Sequence, residues 1–158
     1  RTPNMYEAYY NRAQLYIKMK QPLLALEDFN RTILIKPEHA GAYMRRGDLK
    51  ANSGHLEEAA KDFTKTIELD VTETNALYNR AFCYLSLEKY TLASVDYEKY
   101  LLVGRLYSYN EEATKNAYYN LALCNYYLED LSKACENSKK ALKMGYTNAQ
   151  KLIDASCR

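Results

Sequence analysis

One block of sequence occurs four times in this chain and limits what it can fold into. Tyr9-Tyr10-Asn11-Arg12-Ala13 returns as Tyr43-Met44-Arg45-Arg46-Gly47, as Leu77-Tyr78-Asn79-Arg80-Ala81 and as Tyr118-Tyr119-Asn120-Leu121-Ala122. The small residue closing each block stands at 13, 47, 81 and 122, in steps of 34, 34 and 41 residues. The same steps separate Ala25, Ala59, Ala93 and Ala134, and again Phe29, Phe63, Tyr97 and Ser138. Three columns at one spacing define an internal repeat. Each unit holds two short amphipathic runs parted by a break such as Ser53-Gly54-His55. Such a pair cannot bury its apolar face alone, so stacked units share one core.

Glycine is costly inside a helix, so Gly47 marks a place where two helices approach closely. Ala13, Ala81 and Ala122 hold the same position. Ala25, Ala59, Ala93 and Ala134 are the facing small residues, and the large Tyr and Phe side chains fill the space between hairpins.

A period of about 34 residues, with Tyr…Gly/Ala…Tyr in the first run and Ala…Phe…Pro in the second, resembles the tetratricopeptide repeat family. The slots are filled by Tyr9, Ala13, Tyr16, Ala25, Phe29 and Pro37, then by Tyr43, Gly47, Ala59 and Phe63. They continue as Leu77, Ala81, Tyr84, Ala93 and Tyr97, and as Tyr118, Ala122, Ala134 and Ala141. The resemblance implies an all-α chain of the αα-superhelix class, a right-handed solenoid of antiparallel helix hairpins. It implies a single domain over 1–158, with repeats at about 6–39, 40–73, 74–107 (extended to about 114) and 115–148. A capping helix over about 147–157 closes it, with Ala149, Leu152 and Ile153 inward and Gln150, Lys151, Asp154 and Arg158 outward.

Pro3 and Asn4 open the first helix, and Pro22 suits a helix's first turn. The 41-residue step leaves seven extra residues. Seven residues are about two helical turns, so longer adjoining helices keep the same face. Most of the excess is expected in Leu101–Tyr109, before a cap at Asn110. There Leu101, Leu102, Val103, Leu106, Tyr107 and Tyr109 either pack along a lengthened fourth hairpin or form an apolar contact surface.

Composition excludes several functions. A formal charge of +2 offers no basic stripe for nucleic acid or a membrane surface. No run approaches the ~18 apolar residues of a membrane span, and Arg1 begins no signal-peptide pattern. With no initiator Met, the chain is expected to be a fragment or processed form, cytoplasmic unless its parent is exported. Cys83 and Cys124 fall in matching repeat slots. All four cysteines are expected to be reduced packing residues, with a Cys135–Cys157 bridge as the alternative in an exported protein.

No GxGxxG, P-loop or HExxH occurs. His39 and His55 lie in turns, where solvation is expected. Glu57-Glu58 and Glu111-Glu112 sit in helix first turns and complement the dipole. We expect no enzyme, no cofactor and no metal.

In the family that the chain resembles, the first helix of each hairpin lines a groove that takes a partner's peptide or helix. The resemblance puts Tyr10, Met44, Tyr78 and Tyr119 there, with Asn11, Arg45, Asn79 and Asn120, and with Gln14, Asp48, Phe82 and Leu123. Amides spaced once per repeat can bind a peptide backbone without reading its side chains. That column is similar to the asparagine ladder of the O-linked N-acetylglucosamine transferase repeats. Arg45 interrupts it and can grip a carboxylate. The family's carboxylate clamp for chaperone tails uses Lys, Asn, Asn, Lys and Arg and is not expected: those slots hold Tyr10, Gln14, Arg45, Asn75 and Asn79, or one repeat down Met44, Asp48, Asn79, Asn116 and Asn120, and only Asn79, in the second register, matches. The expectation is a non-enzymatic scaffold or adaptor with a protein or peptide partner. The alternative is an assembly module that self-associates, or stacks on neighbouring repeats, through the 101–109 region.

Overall fold

Each predicted amphipathic run is a helix. The computed structural model describes residues 5–107 and 110–157, without the side chains of Arg105 and Tyr107. Pro3, Asn4, Tyr109 and Arg158 lie outside the described residues. The described residues form nine helices and no strand.

The chain divides into two units, Arg1–Ala76 and Leu77–Arg158. Unit 1 holds α1 (Met5–Lys18), α2 (Pro22–Ile35), α3 (Ala40–Asn52) and α4 (Leu56–Leu69). Helix α1 packs on α2, α2 on α3, and α3 on α4. Pro22 stands in the first turn of α2, where its missing N–H leaves nothing unpaired. The repeat columns form the core. Ala13, Ala25, Phe29 and Ala42 make one fully buried cluster, with Tyr10, Tyr16, Ile33 and Leu49 packed on it. A Cβ on Gly47 would lie 2.8 Å from the ring of the fully buried Phe63. Only glycine lets α3 approach α4 that closely.

Unit 2 holds α5 (Thr74–Ser86, from Leu77 on), α6 (Tyr90–Tyr107), α7 (Glu111–Tyr127), α8 (Leu131–Lys143) and α9 (Ala149–Ser156). Helix α6 packs on α7, α7 on α8, and α9 on both α7 and α8. The seven extra residues arise from two longer helices, four residues each, and a connection one residue shorter: α6 has 18 residues against 14 in α2 and α4, and α7 has 17 against 13 in α3 and α5. Asn110 caps α7 by accepting the Ala113 N–H at 2.9 Å. Tyr100 stands where the first two repeats have Thr32 and Thr66. Its ring is buried edge-on against Tyr78, centroids 5.3 Å apart. Leu101 joins the core around Tyr118, Ala141 and Ala149, whereas Leu102 and Leu106 stay exposed.

The four turns between first and second helices share one geometry. Lys20, Gly54, Glu88 and Glu129 hold the corresponding places, all with positive φ (57, 81, 58 and 62°). After each, the next N–H reaches back five residues, Gln21 to Tyr16, His55 to Lys50, Lys89 to Tyr84 and Asp130 to Asn125, at 2.8–2.9 Å. This is a Schellman closure of the helix end.

The cysteines depart from the reduced state expected of all four. Cys135 and Cys157 are bridged, tying α8 to the end of α9, with Cα atoms 5.0 Å apart. Cys83 and Cys124 are free and buried, and burial pushes the Cys124 thiol up to about 12. On α9, Ala149 and Leu152 face the core, while Gln150, Lys151 and Asp154 face solvent.

Candidate functional site

The column residues fix which way each first helix faces. In unit 1, Ala13 and Gly47 are buried against the second helices. Two residues earlier on α1 and α3, Asn11 and Arg45 are exposed. Gln14, Met44 and Asp48 are half-buried beside them. Arg45 touches Asp48 at 3.5 Å, the outer limit of a hydrogen bond, which leaves its guanidinium turned to solvent. Tyr10 is used differently: it packs on Phe29 at 5.7 Å and His39 at 4.5 Å between centroids. Its hydroxyl lies 2.9 Å from where a Cβ on Gly41 would be. Tyr10 therefore seals the junction of α1 with α3.

In unit 2 several predicted groove residues are engaged within the core. Tyr78 stands edge-on to Tyr97 and Tyr100, and Tyr119 stacks on Tyr146 at 4.5 Å. Asn120 donates its amide to the Tyr97 hydroxyl at 3.0 Å. Tyr97 is fully buried, and that burial raises its phenol pKa far above the ordinary value. Asn79 is half-buried and makes a further polar or ring contact of its own. Phe82 is 49% exposed. One rung of the amide column is thus committed inside the unit. Asn120→Ala is expected to lower the stability of unit 2 by about 1–3 kcal/mol, because it strands a buried hydroxyl. Asn11→Ala should leave stability unchanged within about 0.5 kcal/mol. Urea midpoints of the two variants check this.

His39 is not the solvated turn residue expected. It lies against Tyr6 and Tyr10, and its Nδ1 accepts the Ala42 N–H at 3.1 Å, capping α3. Burial lowers its pKa below the ordinary 6.5, and the cap itself needs a neutral Nδ1. The unfolded chain therefore takes up the proton first. The stability this group contributes is complete above about pH 6.5 and is lost as the pH falls below it. His39→Asn keeps a capping oxygen worth about 1 kcal/mol. It should flatten the loss seen between pH 7.5 and pH 5 in urea melts of wild type.

Sequence reading missed a second repeated pair. Arg12, Arg46 and Arg80 each fork onto a buried aspartate on the following helix, Asp28, Asp62 and Asp96, at 2.6–2.9 Å. These residues recur in steps of 34, so the signal was present. In the fourth repeat the positions hold Leu121 and Asn137.

Among the described residues no group of His, Cys, Asp or Glu is placed to hold a metal, and no helix is long and apolar enough to cross a membrane. A hollow of about 530 Å³ in unit 2 is lined by Tyr126, Tyr127, Glu129, Leu131 and Ala155, none of them predicted for the site.

Residues 6–39 and 40–70 each match a tetratricopeptide repeat family model. The human mitochondrial import receptor subunit TOM70 is 35% identical over 82 residues, 48% of this chain and 14% of that protein. Rat DnaJ homolog subfamily C member 3 is 37% identical over 71 residues, 45% of this chain and 14% of that protein. The chain thus spans about one seventh of the length of these relatives. Among solved structures, a crystal structure of MamA superposes with a TM-score of 0.86 at 17% identity, covering 97% of this chain and 81% of MamA. The first TPR of Spaghetti (RPAP3), bound to the HSP90 peptide SRMEEVD, superposes at 0.66 and 19% identity, covering 80% and 97%. Both likenesses give the same fold, the αα-superhelix class.

Proposed function

Since this chain is a tetratricopeptide repeat protein, we propose that it works as an interaction scaffold with no catalytic role, gripping an extended segment of a partner protein along the first helices of its hairpins. The observation that carries this reading is in unit 1. Asn11 and Arg45 hold the same slot on α1 and α3 and are exposed, although Ala13 and Gly47 two residues on are buried. The Asn11 and Gln14 amides suit a peptide backbone, and Arg45 suits a carboxylate. The ligand is therefore an extended peptide carrying an acidic side chain. The peptide-bound RPAP3 repeat, with the same fold, supports this mode. Its HSP90 peptide is not carried over, because Tyr10 and Gln14 stand where the family's clamp needs Lys and Asn.

The Cys135–Cys157 bridge bears on where the scaffold works. Structural disulfides persist in oxidising compartments, so the bridge supports an exported parent over the cytoplasmic location expected from sequence.

A displayed library of acidic and neutral peptides, followed by calorimetry on the selected binders, tests the proposal. Arg45→Glu should weaken acidic binders by at least about tenfold, or ~1.4 kcal/mol, and Asn11→Ala should weaken all binders several-fold. Lys61→Glu, on the exposed face of α4, should change nothing. Binding that ignores Asn11 and Arg45 but responds to Lys61 would put the site elsewhere.

A further inference from the structure

Helix α6 has two faces of different character. One packs inward through Ala93, Asp96, Tyr97 and Tyr100, all buried. The opposite face presents Leu92, Val95, Leu102 and Leu106 to solvent, 50%, 56%, 71% and 76% exposed. These positions step by three, seven and four residues, which keeps them on one stripe of a helix. Glu98 and Lys99 interrupt the stripe at its middle. Both are exposed, and neither enters an ion pair among the described residues.

We propose that this face of α6 docks onto the same face of a second copy of the chain, with the two helices antiparallel about a two-fold axis beside Glu98 and Lys99. The stripe is nearly palindromic. Val95 precedes Glu98 by three residues and Leu102 follows Lys99 by three; Leu92 precedes by six and Leu106 follows by seven. An antiparallel two-fold sets Val95 against Leu102 of the other copy and Leu92 against its Leu106. It also sets Glu98 against the other copy's Lys99, twice over. A two-fold contact must be self-complementary, and an adjacent acid and base at the centre of an apolar stripe meet that demand. A foreign helix needs no such symmetry. The stripe is short beside a standard interface of about 1,600 Å², so the dimer is weak and forms at high concentration. The stripe shares no residue with the proposed peptide-binding set on α1 and α3, and the proposal stands without that set.

Sedimentation velocity from micromolar to millimolar concentration provides the first test. The wild type should pass from monomer to dimer, and Leu102→Glu should stay monomeric with an unchanged circular dichroism spectrum. Lys99→Glu should weaken the dimer about tenfold, since two attractive pairs become repulsive. The double change Glu98→Lys with Lys99→Glu should restore it. Geometry is read by cross-linking. A mixture of Val95→Cys and Leu102→Cys chains should form a disulfide-linked pair, whereas neither variant alone should. The native free thiols Cys83 and Cys124 are buried and do not compete. A chain that is monomeric throughout leaves the stripe to some other partner and overturns the proposal. So does a dimer indifferent to Leu102→Glu, or one in which each cysteine variant cross-links to itself.

Discussion

Replacing Arg80 by alanine is expected to destabilise unit 2 by about 3–5 kcal/mol, the largest loss from any single truncation considered. Its guanidinium meets both Asp96 oxygens at 2.7 Å, and the side chains of Arg80 and Asp96 are 17% and 5% exposed. Removing Arg80 leaves a carboxylate buried with its main partner gone. The equivalent change at Arg12 should cost much less. Arg12 is 48% exposed, and Arg31 stands 3.9 Å from its aspartate as a second cation. The fourth repeat supplies the control, because Leu121 and Asn137 fill those places without charge. The double change Arg80→Leu with Asp96→Asn copies that solution and should lose less than Arg80→Ala alone. Urea melts of the variants form a double-mutant cycle. If Arg80→Ala proves as mild as Arg12→Ala, the ion-pair column is not a structural element of the repeat.

The second large effect concerns the disulfide. Cys135 and Cys157 are 22 residues apart. Closing a loop of that size stabilises by about 3 kcal/mol in the chain-entropy account. Cys157→Ser should therefore lower the stability of unit 2 by about that much and leave unit 1 untouched. A reductant should do the same to wild type. The other thiols should not rearrange, because Cys124, pushed up to about 12, holds almost no thiolate near neutrality. Reduction without any shift in the unfolding midpoint would mean that α9 is held by packing alone.

The fold was legible because close packing repeats with the chain. Ala13, Gly47 and Ala81 must be small for the same reason, and that reason recurs every 34 residues. The turns were legible only in part. Gly54 announces its left-handed conformation, but Lys20, Glu88 and Glu129 adopt it with residues that give no such signal. The Arg–Asp column stands at the same period, but an arginine and an aspartate 16 residues apart read as solvated helix faces until the second helix is known to fold back onto the first. The disulfide was legible only as the alternative to four reduced cysteines. Cys135 and Cys157 belong to no repeat column, and only the packing of α9 on α8 brings them together.

Among the expected groove residues, the exposure of Asn11 and Arg45 followed from the repeat columns, but the engagement of Asn120 did not. Asn120 reads like Asn79, yet its amide is taken by Tyr97. The reason lies in another column. Phe29 and Phe63 need no hydrogen-bond partner, but the third repeat has a tyrosine in that slot, and a fully buried hydroxyl requires one. His39 likewise acquired a role as a cap that no single-residue rule for turns foretells.

Site-specific photo-cross-linking tests the central claim, that the first helices of the hairpins carry the partner. A photoreactive residue is placed in turn at Gln14 and Asp48, on α1 and α3, and at Leu34 and Lys61, on the exposed sides of α2 and α4. Each variant is irradiated with a peptide selected from the displayed library. Capture at Gln14 and Asp48, with none at Leu34 or Lys61, is the predicted result. Capture at Leu34 or Lys61, with Gln14 and Asp48 silent, would contradict it.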